Sequence, residues 1–142
     1  MQIVRSTTIS RPADQVFTFV STPENDPKWV PVSLRHEKTS PGPMQVGTRT
    51  EEHLRFMGRG MRYVWEVTAY KPPHLLAYRT ISGPMPVTLR LALEPAGSAT
   101  RLTLGSEVAL PGLLKLASPA LQWVVARQFE GQLRTLKSLL EA

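Results

Sequence analysis

Hydrophobic and polar positions alternate along most of the chain, and a period of two predicts strands at about 2–10, 32–38, 46–57, 60–70, 75–82, 86–94 and 100–109. Val87, Leu89, Leu91 and Leu93 share one face, while Thr88, Arg90 and Glu94 share the other. Leu102, Leu104, Ser106 and Val108 oppose Arg101, Thr103 and Glu107 in the same way. Leu76, Tyr78 and Thr80 oppose Arg79, and Tyr63, Trp65 and Val67 oppose Arg62 and Glu66. The punctuation is Ser40-Pro41-Gly42-Pro43, Gly58 with Gly60, Pro72-Pro73, Gly83-Pro84 and Pro95 to Ser98. Turn signals at that spacing suit a meander of antiparallel strands with one wet face and one covered face.

Two regions change to a helical period. Ser10 reads as an N-cap with Pro12 in the first turn of a short helix whose apolar stripe is Val16, Phe17 and Val20. Thr22 to Pro27 ends it and leaves room for one or two further turns before Trp29. Near the C-terminus, Ser118-Pro119 reads as the N-cap and first-turn proline of a long helix running to about Glu141. Leu121, Val125, Phe129, Leu133, Leu136 and Leu140 form its apolar stripe. Arg127, Glu130, Arg134 and Lys137 lie opposite, with Glu130 and Arg134 at i,i+4 spacing. This helix is the expected cover of the sheet.

Strand, two short helices, six strands and one long helix is an order that resembles the START/Bet v 1-like (SRPBCC) superfamily, and within it the polyketide cyclase/dehydrase-like family. Ile9-Ser-Arg-Pro-Ala13-Asp-Gln-Val16-Phe17 is similar to the family's opening, and Asp26-Pro27-Lys28-Trp29 to its proline and tryptophan after the second helix. Val46-Gly47-Thr48, Val67 to Pro73, Leu93-Glu-Pro95 with Gly97, and Thr100 to Leu104 are similar to its turn and strand punctuation. Leu133-Arg-Thr-Leu136-Lys137 with Glu141 resembles its close. The likeness spans nearly the whole chain. It implies an α+β helix-grip fold in one domain, residues 1–142: a seven-stranded curved antiparallel sheet around a long C-terminal helix, enclosing a mainly apolar cavity. Members of the superfamily bind lipids, sterols, polyketides or other hydrophobic molecules, and a minority are cyclases or dehydratases. No catalytic motif is shared, so fold alone does not deliver a reaction.

Composition narrows the chemistry. Hydrophobic residues at 42% against charged residues at 20% exclude general disorder. There is no cysteine, which removes thiol nucleophiles and cysteine-ligated metals. None of the three histidines, His36, His53 and His74, has a partner at helical metal-ligand spacing, so neither metal nor cofactor is expected. Seventeen basic residues stand against 11 acidic ones, but they are spaced almost singly among the acids, which favours a solvated surface. Nucleic acid or an anionic membrane, reached through an Arg-rich outer sheet face, is the less favoured partner. The opening residues lack the apolar core of a secretion signal, and no apolar stretch nears the ~20 residues of a membrane span, so a cytoplasmic protein, monomer or homodimer, is the expectation.

The residues expected to line the cavity are Trp29, Leu34, Phe56, Tyr63, Trp65, Tyr78, Leu89, Leu91, Leu121, Val125 and Phe129. Large amphipathic rings suit a pocket better than a solid core, because buried Tyr and Trp must satisfy an O–H or N–H. Each ring taken singly fits a filled core as well; several on one concave face favour a pocket. Thr50, Glu52, Leu54 and Phe56 share a face, as do Val32, Leu34 and His36, so Glu52 and His36 are candidate acid/base groups together with Tyr78. Edge strands bulge readily, which favours placing Glu52 and His36 near a strand end in water. No G-x-S-x-G elbow or strand-to-helix phosphate loop is present. Three functions stay open: a carrier or sensor of a hydrophobic small molecule, a cyclase- or dehydratase-like enzyme, and a binder of nucleic acid or anionic membrane.

Overall fold

The computed structural model describes residues 1–142. β1 (Gln2–Ile9) leads into α1 (Ala13–Val20), a 3-10 turn (Pro23–Asn25) and the single turn α2 (Asp26–Trp29). Six strands follow: β2 (Ser33–Lys38), β3 (Arg49–Phe56), β4 (Arg59–Lys71), β5 (Leu75–Ser82), β6 (Val87–Ala96) and β7 (Ala99–Val108). A 3-10 segment (Gly112–Ala117) then runs directly into α3 (Ser118–Glu141).

The seven strands form one sheet in the order β1-β7-β6-β5-β4-β3-β2, every neighbouring pair antiparallel. β2 to β7 are therefore a meander, and the α1–α2 passage carries the chain from one sheet edge to the other. Strand twist bends so wide a sheet rather than leaving it flat, and α3 lies in the bend with β1 and α2 beside it. Met57 and Gly58, both at positive φ, close the β3–β4 hairpin with the two-residue turn that matches strand twist.

The alternation expected of β3 to β7 is observed. Tyr63, Trp65 and Val67 are buried, as are Leu76 and Tyr78, Leu91 and Leu93, and Leu102, Leu104 and Ser106. On the outer face Arg62 forks onto Glu51 at 2.8 and 2.9 Å, and Arg79 reaches Glu66 at 2.8 Å. Cross-strand pairing thus absorbs part of the basic excess.

Helix ends depart from expectation in three places. α1 begins at Ala13 with Pro12 at the cap, and Ser10 instead gives its backbone N–H to the Glu141 carboxylate at 2.7 Å. Ser118 is the first residue of α3 rather than its cap, and makes no capping bond. Glu130 pairs with Arg5 of β1 at 3.2 Å, not with Arg134. Ser10 and Glu130 are both drawn into contacts that hold α3 to the start of the chain. Lys137 adds to the clamp, donating to the Thr8 carbonyl at 2.6 Å and to Glu141 at 2.7 Å.

Candidate functional site

A cavity of about 200 Å³ opens between the concave sheet face, α2 and α3, and 21 of its 27 lining residues are hydrophobic. It is small beside the ~300–1,000 Å³ of drug-sized pockets. Trp29, Phe56, Tyr63, Trp65, Tyr78, Leu89, Leu91, Leu121, Val125 and Phe129 all lie on its wall. Leu34 does not. It is 59% exposed, because β2 bulges between Ser33 and Arg35 and Leu34 is the extra residue. The bulge turns Ser33 inward and returns His36 to the inner face. β2 is an edge strand, where one unpaired residue is accommodated without breaking a second ladder.

His36 and Glu52 are not in water, contrary to the sequence expectation: they are 4% and 6% exposed. They join a group at one end of the cavity that sequence reasoning missed in part. His36 Nδ1 stands 2.6 Å from Asp26 Oδ2 and 3.8 Å from Glu52 Oε2, and its Nε2 stands 2.7 Å from Thr50 Oγ1. Glu52 Oε1 accepts from the Trp65 indole N–H at 3.1 Å. The Tyr78 ring stacks obliquely 6.1 Å from His36 and edge-on 6.1 Å from Trp65. Asp26 sits three residues before Trp29 on one turn of helix, so a helical reading of that turn places both on the cavity side.

Burial pushes the Asp26 carboxyl up to about 6, although the His36 hydrogen bond pulls the other way. Burial disfavours the charged His36 ring, but the bond to Asp26 and the nearby carboxylate of Glu52 outweigh it and raise His36 above its ordinary value. Burial, with the charges of Asp26 and Glu52 adding to it, holds the Tyr78 hydroxyl well above its ordinary value, so it remains a neutral donor. With the imidazole protonated, both ring nitrogens donate, Nδ1 to Asp26 and Nε2 to Thr50.

Asp26, His36 and Glu52 bring ligand-type atoms within 4.8 Å of one another. Spacing along the chain hides this grouping, since it draws on a helix and two strands. Two carboxylates and an imidazole are donors of the kind that hold divalent cations. At 2.6 Å, however, the His36–Asp26 contact is a hydrogen bond with its proton in place.

Two buried polar atoms on the wall have no partner, Trp29 Nε1 and Gln132 Oε1. The Trp29 N–H leans toward Asp26 and helps hold its charge, without reaching the geometry of a hydrogen bond. Gln132, three residues past Phe129, is a polar break in the apolar stripe of α3, a signal that was readable in the sequence.

The profile of the family described as "Polyketide cyclase / dehydrase and lipid transport" matches residues 1–141. No curated protein matches the chain. Among solved structures, a START superfamily protein from Mycobacterium smegmatis superposes with a TM-score of 0.81 at 16% identity, covering 99% of this chain and 97% of that one. The Zhui aromatase/cyclase from Streptomyces sp. R1128 gives 0.82 at 17% identity, covering 99% and 93%. Major latex-like protein 151 from Panax ginseng gives 0.75 at 12%, covering 100% and 98%. At such identities the superpositions speak for the fold, a START/Bet v 1-like helix-grip. With the profile matched along nearly its full length, the chain belongs to the polyketide cyclase/dehydrase and lipid transport family.

Proposed function

We propose that the protein binds a small hydrophobic molecule in the cavity between sheet and α3, with one polar group of the ligand at the Asp26–His36–Glu52–Tyr78 end. The observation that carries this reading is a mainly apolar cavity of about 200 Å³ in which the three ionisable acid and imidazole side chains of the wall, Asp26, His36 and Glu52, stand together. Apolar walls supply affinity through desolvation, and a few convergent polar groups fix orientation. Tyr78 offers a neutral hydroxyl, and Glu52 Oε2 has no hydrogen-bond partner closer than the 3.8 Å contact with His36. A hydroxyl or carbonyl on an otherwise apolar ligand suits that end. Native mass spectrometry of the folded protein after incubation with a lipophilic cell extract tests it. One apolar molecule retained per chain is expected; a chain that retains none contradicts the reading.

A second reading, acid/base catalysis on a polyketide-type carbonyl compound, is favoured by Asp26, whose carboxyl titrates near 6 and so exchanges protons close to neutral pH. The likeness to a solved aromatase/cyclase supports it. Glu52, Asp26 and Tyr78 are then the proton-transfer groups. His36 has both nitrogens engaged and acts as a positioning residue. Asp26–His36–Thr50 has the order of an orienting acid, a base and a hydroxyl, yet Thr50 is fully buried and off the cavity wall, so it presents no nucleophile. Under this reading Glu52→Gln loses turnover while retaining ligand; unchanged turnover in that variant removes Glu52 from the mechanism.

A further inference from the structure

The segment that bounds the cavity on its C-terminal side carries a second apolar stripe, and that one faces water. Leu110, Leu121 and Val125 point to the cavity. Leu113, Leu116, Ala120, Trp123 and Arg127, at steps of three and four, are all exposed. The exposures are large: Leu113 87%, Leu116 84% and Trp123 64%. No residue of the 3-10 segment is buried. Singly exposed leucines need no explanation, but leucines and a tryptophan in one line mark an interaction surface.

The charges around that line have one sign. No Asp or Glu occurs between Glu107 and Glu130, while Lys115 lies among the leucines and the Arg127 guanidinium sits 5.6 Å from the centre of the Trp123 ring. Apolar side chains, an interfacial tryptophan and unopposed cations together match the headgroup region of an anionic bilayer. A second copy of this chain fits less well. A two-fold contact through the same patch brings together two surfaces that carry Lys115 and Arg127 and no acidic residue to pair with them. The outer sheet face is a poorer candidate for a membrane contact, since Arg62 and Arg79 there are paired to Glu51 and Glu66.

We propose that the face formed by Leu113, Leu116, Trp123, Lys115 and Arg127 docks on an anionic lipid bilayer. The docking stands on this surface alone and is independent of what the cavity holds.

Vesicle flotation tests it, with phosphatidylcholine vesicles with and without a quarter of phosphatidylglycerol. The wild-type chain is expected to float only with the anionic vesicles and to be released by high salt. Its tryptophan emission is expected to shift to the blue, a signal that reports Trp123 because Trp29 and Trp65 are already buried. Leu113→Glu with Leu116→Glu is expected to cut partitioning about tenfold or more. Arg90→Glu, an equal change of charge on the exposed outer face, is expected to cut it far less. Circular dichroism and melting temperature check that both variants fold. Four results overturn the proposal: no flotation at low salt, equal flotation on neutral vesicles, equal loss in both variants, or a wild-type dimer in sedimentation velocity that the leucine variant breaks.

Discussion

His36 on β2 and Asp26 on α2 meet at 2.6 Å, which ties the short helix to the edge strand beside the cavity. Both groups hold their proton more tightly in the folded chain than in the unfolded one. For Asp26 the resulting stability is complete below about pH 4 and is lost as pH rises through about 6. For His36 it is complete below 6.5 and is lost as pH rises through its elevated value. Glu51 works in the opposite sense. Hydrogen bonds from Arg62 hold it down to about 2, so its share is present above 4.5 and is lost as pH falls toward 2.

Melting temperature at constant ionic strength is therefore expected to peak near about pH 5 and to decline toward pH 8. The decline from Asp26 is on the order of 2 kcal/mol. Asp26→Asn should flatten the limb between about pH 4 and 6. A wild-type curve that climbs steadily from pH 5 to 8 contradicts the assignment.

Glu52 is the acceptor for the Trp65 indole N–H. Glu52→Leu removes that acceptor and leaves a buried donor unpaired, which costs about 1–3 kcal/mol. Glu52→Gln keeps an oxygen in reach and should cost less than half as much. Equal chemical-denaturation midpoints for the two variants would show that the bond does not matter to the fold.

Gly83 sits at φ +152°, and a Cβ there would overlap the Tyr63 ring. Gly83→Ala is expected to push Tyr63 off the cavity wall, with a loss of about 1–3 kcal/mol from overpacking. Ligand affinity should fall along with stability. Gly97→Ala is the contrasting variant: it also lies at positive φ, but a Cβ there meets nothing within 4 Å. It should lower melting temperature with no change in ligand affinity, and equal affinity losses in both would contradict the role given to Tyr63.

The inner faces of β4 to β7 are legible because side chains alternate with a fixed period and each of these strands has a hydrophobic set that only one register can bury. Leu34 was misread for the converse reason. A single inserted residue in an edge strand inverts the alternation locally, and nothing in Val32 to His36 marks the insertion. Asp26 escaped because the polar end of the cavity is assembled by tertiary packing from α2, β2 and β3, and no spacing within one element encodes such a meeting. Local rules pair Ser10 and Glu130 with near neighbours, yet their partners are Glu141 and Arg5, 131 and 125 residues away in sequence.

Leu89 lies on the cavity wall opposite Tyr78 in the β5–β6 ladder. Leu89→Trp should narrow the space with little harm to folding. The measurement is a fluorescence titration of both proteins with the apolar probe N-phenyl-1-naphthylamine, each shown to be folded beforehand. The account predicts saturable uptake of one probe per wild-type chain and markedly weaker uptake by the narrowed variant. Identical titration curves, or no uptake by either, would contradict it.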